Sequence, residues 1–182
     1  MNLTETKVDS KEIYNGKVLK LMVDDIKLPD GSPAKREVIR HSGAVCIAPV
    51  TQDGNLIFVR QFRYAVGQAL LELPAGRIDP NEDPQVTGER ELKEETGYTA
   101  ENTKRMGCLF PTPGYSDEII WLFACNVSAE KGVTHFDEGE IVETLQIPVD
   151  KAYQMVLDDE IFDSKTQILI LRLKAAIDQG IF

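Results

Sequence analysis

The segment from Glu82 to Tyr98 constrains the fold of this chain more than any other. Asp83 suits an N-cap, Pro84 the first helical position and Gly97 the residue just past the end, so a helix is predicted over roughly Pro84 to Thr96. Within it Glu91, Glu94 and Glu95 stand at i, i+3 and i+4, which sets three carboxylates on one face. Arg90 can pair with Glu94 one turn on, but Glu91 and Glu95 face each other, at a cost of roughly a few tenths of a kcal/mol in water. Partial burial raises that cost and demands a cation. Oxygen-only ligands suit Mg2+, with Mn2+ as a substitute, because these hard ions keep some waters and also bind substrate phosphates. Glu82, just ahead of the helix, can add another oxygen or lock the loop. Three glutamates on a helix are by themselves most often a solvated face, so the surroundings must decide.

Those surroundings are rich in strands. Glu12 to Arg40 alternates short apolar runs around the turn signal Leu28-Pro29-Asp30-Gly31-Ser32 and reads as a small antiparallel β unit. Ala44 to Val50, the hairpin signal Gln52 to Asn55 and Leu56 to Phe62 follow as central strands. Ala69 to Leu73 runs into Pro74-Ala75-Gly76, where strand pairing is expected to stop. Beyond the helix, Arg105 to Phe110, Ile119 to Val127 and Glu140 to Pro148 read as strands. Val149 to Leu157 and Ser164 to Gln179 have helical spacing, with Ile168, Leu171 and Ala175 on one face of the second. The expected architecture is a mixed sheet with helices on its faces, preceded by a β arm. The arm is assigned residues 1–41 and the main domain residues 42–182.

A length of 182 residues supports one substantial core and one appendage. Twenty Lys and Arg against 30 Asp and Glu leave a formal charge of −10, which opposes nucleic-acid binding but not a small anion brought in by divalent metal. Cys46, Cys108 and Cys125 are odd in number and widely spaced in apolar runs, so they read as reduced core thiols rather than a disulfide framework or zinc site. The N-terminus lacks an apolar signal core and no membrane-length apolar stretch occurs, so a cytoplasmic location without membrane association is expected.

The run GRIDPNEDPQVTGERELKEETGY resembles the Nudix box, Gly-x5-Glu-x7-Arg-Glu-U-x-Glu-Glu-x-Gly-U with U bulky and apolar. Gly76, Glu82, Arg90, Glu91, Leu92, Glu94, Glu95, Gly97 and Tyr98 fill every constrained position, and the predicted loop, helix and terminating glycine supply the context. The resemblance implies a Nudix fold, an α/β class protein with an α/β/α sandwich around a mixed sheet. It also implies hydrolysis of a nucleoside diphosphate linked to another group. By position Glu91 and Glu95 are similar to the main Mg2+ ligands, the Ala75 carbonyl to a further one, and Glu94 to a ligand or its support. Arg90 is similar to the residue that orients the glutamates, and Glu82 to the one that holds the loop or reaches metal through water. Gly88 stands where many relatives carry alanine, at a cost of up to ~1 kcal/mol in a helix interior.

Other stretches resemble the ADP-ribose pyrophosphatase branch of that family. The acidic loop Phe136-Asp137-Glu138-Gly139-Glu140 is similar to the loop that supplies its general base, with Glu138 preferred and Glu140 second. Pro113, sixteen residues beyond Gly97, followed by Gly114 and by Glu118, is similar to its substrate loop, although Pro-Gly alone also makes an ordinary turn. Arg63, and less firmly Arg36, are candidate phosphate contacts, because a guanidinium fork grips phosphate oxygens in pairs. Tyr14 and Phe62 are aromatics near a purine site or simply core. The resemblance further implies a homodimer formed through the arm and a small nucleoside diphosphate sugar as partner, ADP-ribose first. A GDP-hexose is the alternative within the same chemistry. A non-catalytic ligand sensor, the reading from another class, predicts a damaged box or an added basic module, and neither is present in this sequence.

Overall fold

A computed structural model of the chain describes residues 1–135 and 141–182. The chain divides into two compact units, Met1–Gly43 with Phe110–Ile119, and Ala44–Leu109 with Ile120–Phe182.

The first unit is an antiparallel sheet of β1 (Thr6–Asn15), β2 (Lys20–Lys27) and β3 (Pro33–Arg40), in chain order. Its first strand begins six residues before the expected start at Glu12 (Thr6 against Glu12). The turn between β2 and β3 forms because Gly31, at φ 85°, donates to the Leu28 carbonyl at 2.9 Å, while the Asp30 carboxylate accepts the Ser32 N–H at 2.9 Å. Segment 110–119 joins this sheet. Ile39 N–H donates to the Tyr115 carbonyl at 2.7 Å, Asp117 N–H returns to the Ile39 carbonyl at 3.2 Å, and Arg40 bridges Asp24 at 2.6 Å and Asp117 at 3.1 Å.

The second unit is built on a mixed sheet. Its main path is β10 (Val142–Pro148), β5 (Asn55–Arg63), β4 (Ala44–Val50), β9 (Ile120–Val127) and β8 (Ala100–Leu109), with β4 and β9 parallel. Alternation along β4 sends Cys46, Ala48 and Val50 to one face and Val45 and Ile47 to the other. Helices α2 (Val149–Leu157) and α3 (Ser164–Asp178) cover the first face, and α1 (Pro84–Thr96), through Leu92, covers the second. This is the expected Nudix-type layering. Strand β5 pairs with β4 only at Leu56 and Val50, then leaves it for β6 (Gln68–Glu72), and β7 (Ala75–Arg77) takes up the edge of β4 that is released.

Two sequence expectations need correction. Pairing does not stop at Pro74–Gly76: the Pro74 carbonyl accepts the Ile47 N–H at 2.9 Å and β7 continues antiparallel to β4. Proline lacks a donor, but its acceptor is enough for the chain to change partner there. Of the apolar face Ile168, Leu171 and Ala175, only Ile168 packs against the core; the buried residues of α3 are Thr166, Leu169, Ile170, Leu173 and Ala176, and Leu171 and Ala175 are exposed. The helix is apolar over much of its circumference, so periodicity alone does not select the buried stripe.

Candidate active site

Helix α1 is set as its ends require. The Asp83 carboxylate accepts the Gln85 N–H, Pro84 occupies the first turn, and Gly97 closes the helix at φ 79° by donating to the Lys93 carbonyl at 2.9 Å. Arg90 organises the acidic face. Its Nε and Nη2 donate to the two oxygens of Glu82 at 3.0 and 3.1 Å, and its Nη1 to Glu91 and Glu94 at 2.9 Å each. Glu82 also accepts from the Thr87 hydroxyl at 2.8 Å. These bonds, Arg90's first, draw the Glu82 carboxyl down from the usual carboxylate range to about 2. The same partners push the Arg90 guanidinium further up, against the effect of its own desolvation.

Glu95 is 7 % exposed and accepts the Ala75 N–H at 3.3 Å, which brings the end of the acidic face onto β7. Gly76 lies against Glu91: a Cβ built there would stand 2.0 Å from the Glu91 carboxyl. Glycine therefore keeps open the space in which that carboxylate meets the strand. Among the described residues no three carboxylate, imidazole or thiol groups converge as an ion cage by themselves. The chemistry of the groups nonetheless fits a hard divalent ion: carboxylate oxygens from Glu82, Glu91, Glu94 and Glu95, beside a glycine cradle.

The remaining candidates divide between the units. Arg63 lies in the second, where Nε and Nη2 grip both oxygens of Glu72 at 2.6 and 2.7 Å. Glu138 and Glu140 lie outside the described residues. The chain leading to them is tied to α1, with Gly132 N–H on the Gly97 carbonyl at 2.7 Å and His135 N–H on the Glu94 carbonyl at 2.8 Å. In the first unit Arg36 pairs with Glu5, Pro113 and Gly114 form a turn closed by Tyr115 and Ser116 N–H groups on the Thr112 carbonyl, and Glu118 stands 3.8 Å from the His41 ring. Tyr14 and Phe62, one in each unit, are 59 % and 61 % exposed and so are not core.

The sequence reading missed Glu72 and Lys165. Glu72 is a carboxylate buried to 1 % exposure within an apolar strand, bonded to Lys165 Nζ at 2.6 Å. A charge inside the run Ala69 to Leu73 was the available signal; its partner ninety-three residues away was not. The three cysteines are free; burial pushes the Cys125 thiol up to about 12 and raises Cys46 as well, as inert core thiols require. Among the described residues no helix is long and apolar enough to cross a membrane.

Comparison with known proteins agrees with this geometry. The NUDIX domain family profile matches residues 39–169, and that of the nucleoside diphosphate sugar hydrolase N-terminal domain matches residues 5–39. The chain is 38% identical over 179 residues to an ADP-ribose pyrophosphatase of Bacillus subtilis (strain 168), covering 97% of each. It is also 38% identical over 176 residues to a methanol dehydrogenase activator of Bacillus methanolicus, covering 95% of each. A GDP-mannose pyrophosphatase of Yersinia pestis (strain Pestoides F) is 32% identical over 157 residues, 80% of this chain and 79% of that one. In fold, the chain matches the crystal structure of an ADP compounds hydrolase with a TM-score of 0.86 and 20% identity, over 100% of both chains.

Proposed function

Since the chain belongs to the Nudix family, whose members typically depend on Mg2+, we propose that it hydrolyses the diphosphate bridge of ADP-ribose to AMP and ribose 5-phosphate. The observation that carries this reading is the gathering of Glu82, Glu91 and Glu94 around Arg90, with Glu95 reaching the backbone of β7. Oxygen ligands gathered in this way suit a hard divalent cation, which takes carboxylates as ligands and binds substrate phosphates at the same time.

Bound Mg2+ would neutralise the diphosphate and make phosphorus open to attack. Glu91 and Glu95, with the Ala75 carbonyl, are the proposed ligands, Glu94 a further ligand or support, and Arg90 and Glu82 hold them in place. Arg63 grips the phosphates, with Arg36 as a second contact, and Glu118, just beyond the Pro113–Gly114 turn, meets the terminal ribose or a metal-bound water. Glu138, or else Glu140, removes a proton from the attacking water. The water oxygen then bonds to phosphorus, the bridging P–O bond breaks, and the departing phosphate keeps the bridging oxygen. The bond of the His135 N–H to the Glu94 carbonyl supports a base from this segment, since it ties the chain to the last turn of α1 just before residues 136–140. The arm is proposed to join a second copy of the chain and to complete the nucleoside pocket. The likeness to a GDP-mannose pyrophosphatase favours a second reading, the same reaction on a GDP-sugar.

Incubation of the purified chain with Mg2+ and either ADP-ribose or GDP-mannose, with the products separated, tests both. AMP from the first at higher kcat/KM is expected, and release of GMP at higher efficiency decides for the second reading. Glu95→Gln should lose roughly 100-fold or more of the turnover, and Glu138→Gln on the order of 100-fold or more with the Mg2+ requirement unchanged. A silent Glu95→Gln sinks the ligand assignment, and a silent Glu138→Gln beside an inactive Glu140→Gln moves the base to Glu140.

A further inference from the structure

Glu72 is almost wholly buried, where an unpaired carboxylate would cost roughly several kcal/mol. Two cations hold it ionised. Arg63 engages both oxygens, and Lys165 Nζ donates to Oε2 at 2.6 Å. Burial works against the charge on Glu72, yet the two cations more than offset it and its carboxyl titrates below the usual value. Lys165 is itself fixed by Asp163 at 2.9 Å. Asp163 also caps α3 by accepting the Thr166 N–H at 3.0 Å, and the Thr166 hydroxyl accepts the Leu73 N–H at 2.9 Å. The start of α3 is thus bonded to the end of β6 at the strand that carries Glu72.

The arrangement leaves a specific surface for binding. A guanidinium carries five N–H groups, and Glu72 takes one on Nε and one on Nη2, the inner edge of the fork. A phosphate is gripped by the other edge, formed by Nη1 and Nη2, and Arg63 keeps 41 % of its side chain exposed. The direction of that edge follows the plane of the Glu72 carboxylate. One bidentate partner alone leaves the pair able to swing as a unit about the Glu72 side chain; a second cation on Oε2 removes that freedom.

We propose that Lys165 is a positioning residue for diphosphate binding: by anchoring Oε2 of Glu72 it fixes the orientation in which Arg63 presents its outer N–H edge to the substrate. This rests on the reading of the chain as a nucleoside diphosphate sugar hydrolase with Arg63 on the phosphates. It adds Lys165 and Asp163, two residues of α3 and its cap, to the determinants of substrate affinity.

A double-mutant cycle with an NMR readout tests it. Lys165→Met is expected to raise KM for ADP-ribose about tenfold with kcat changed much less, and to do nothing further in an Arg63→Met background. Lys165→Arg should restore KM. The Arg63 Nε–H resonance, sharp and slow to exchange in the wild type, should broaden in Lys165→Met. A residue that only stabilises the fold would lower Tm and add independently to Arg63→Met. Additive effects on KM, or an unchanged Arg63 resonance, overturn the proposal. If Lys165→Met does not fold, Asp163→Asn keeps the cap, weakens the hold on Lys165 and must move KM in the same direction; no movement overturns the proposal. A wild-type chain inert toward every diphosphate sugar overturns the functional reading and the role of Lys165 with it. That outcome is distinct from an active enzyme whose KM depends on Arg63 and ignores Lys165, which overturns the positioning role alone.

Discussion

Gly76 and Gly88 bracket the start of the acidic helix, and their surroundings give them opposite meanings. A Cβ on Gly88 would meet Ile47 and Phe123 at 3.8 Å, ordinary contact distance, so nothing in the packing requires glycine. Gly88→Ala should therefore stabilise the chain by about 1 kcal/mol through backbone entropy and helix propensity, read as a raised urea midpoint with unchanged m. A Cβ on Gly76 would collide with the Glu91 carboxyl, which is the end of a flexible side chain and can swing aside. Gly76→Ala should thus fold with little change in Tm yet need roughly tenfold or more Mg2+ for half-maximal activity. A large loss of Tm with Mg2+ activation unchanged would show that the glycine serves the strand and not the carboxylate. The opposed roles of these residues were not visible in their spacing, because both depend on neighbours from other elements.

At the scale of elements, Glu82 fastens the loop after β7 to α1 through Arg90 and Thr87. Its carboxyl is drawn down from 4.5 to about 2, so folding favours the charged form. The resulting stabilisation is complete above pH 4.5 and is lost as pH falls toward 2, because the unfolded chain takes up the proton first. Thermal midpoints of the wild type should fall more steeply through that window than those of Glu82→Gln, and the two should approach each other near pH 2. Parallel curves would remove Glu82 from the link. The helix itself was legible to the residue, since Asp83, Pro84 and Gly97 act on their immediate neighbours. The buried face of α3 was not, because Leu171 and Ile170 are chemically alike and only the sheet beneath distinguishes them.

For the whole molecule, segment 110–119 belongs to the same compact unit as the N-terminal arm. The proposed substrate turn, with Pro113, Gly114 and Glu118, is therefore carried by β3 through the bonds of Ile39 and Arg40. The arm also exposes Val8, Ile13 and Tyr14 on β1, apolar surface of the kind that marks a site of association. Sedimentation at micromolar concentration should give twice the chain mass, and Val8→Asp with Ile13→Asp should give the single chain with lower affinity for substrate. A wild type that sediments as a single chain refutes the proposed dimer.

By itself the sequence determined a capped helix, the carboxylates on one side of it and the glycine that ends it, since all of these are settled within a few turns of backbone. It likewise determined the alternating strands and, through them, the layered class of the fold. Only the tertiary structure decided that β4 runs parallel to β9, that β7 takes the edge β5 leaves, and that Arg63, Glu72 and Lys165 form one charged cluster. Pairing and charge compensation of this kind join residues far apart in the chain. Their free energy comes from removing water around both partners at once, and no local pattern records which partner that will be.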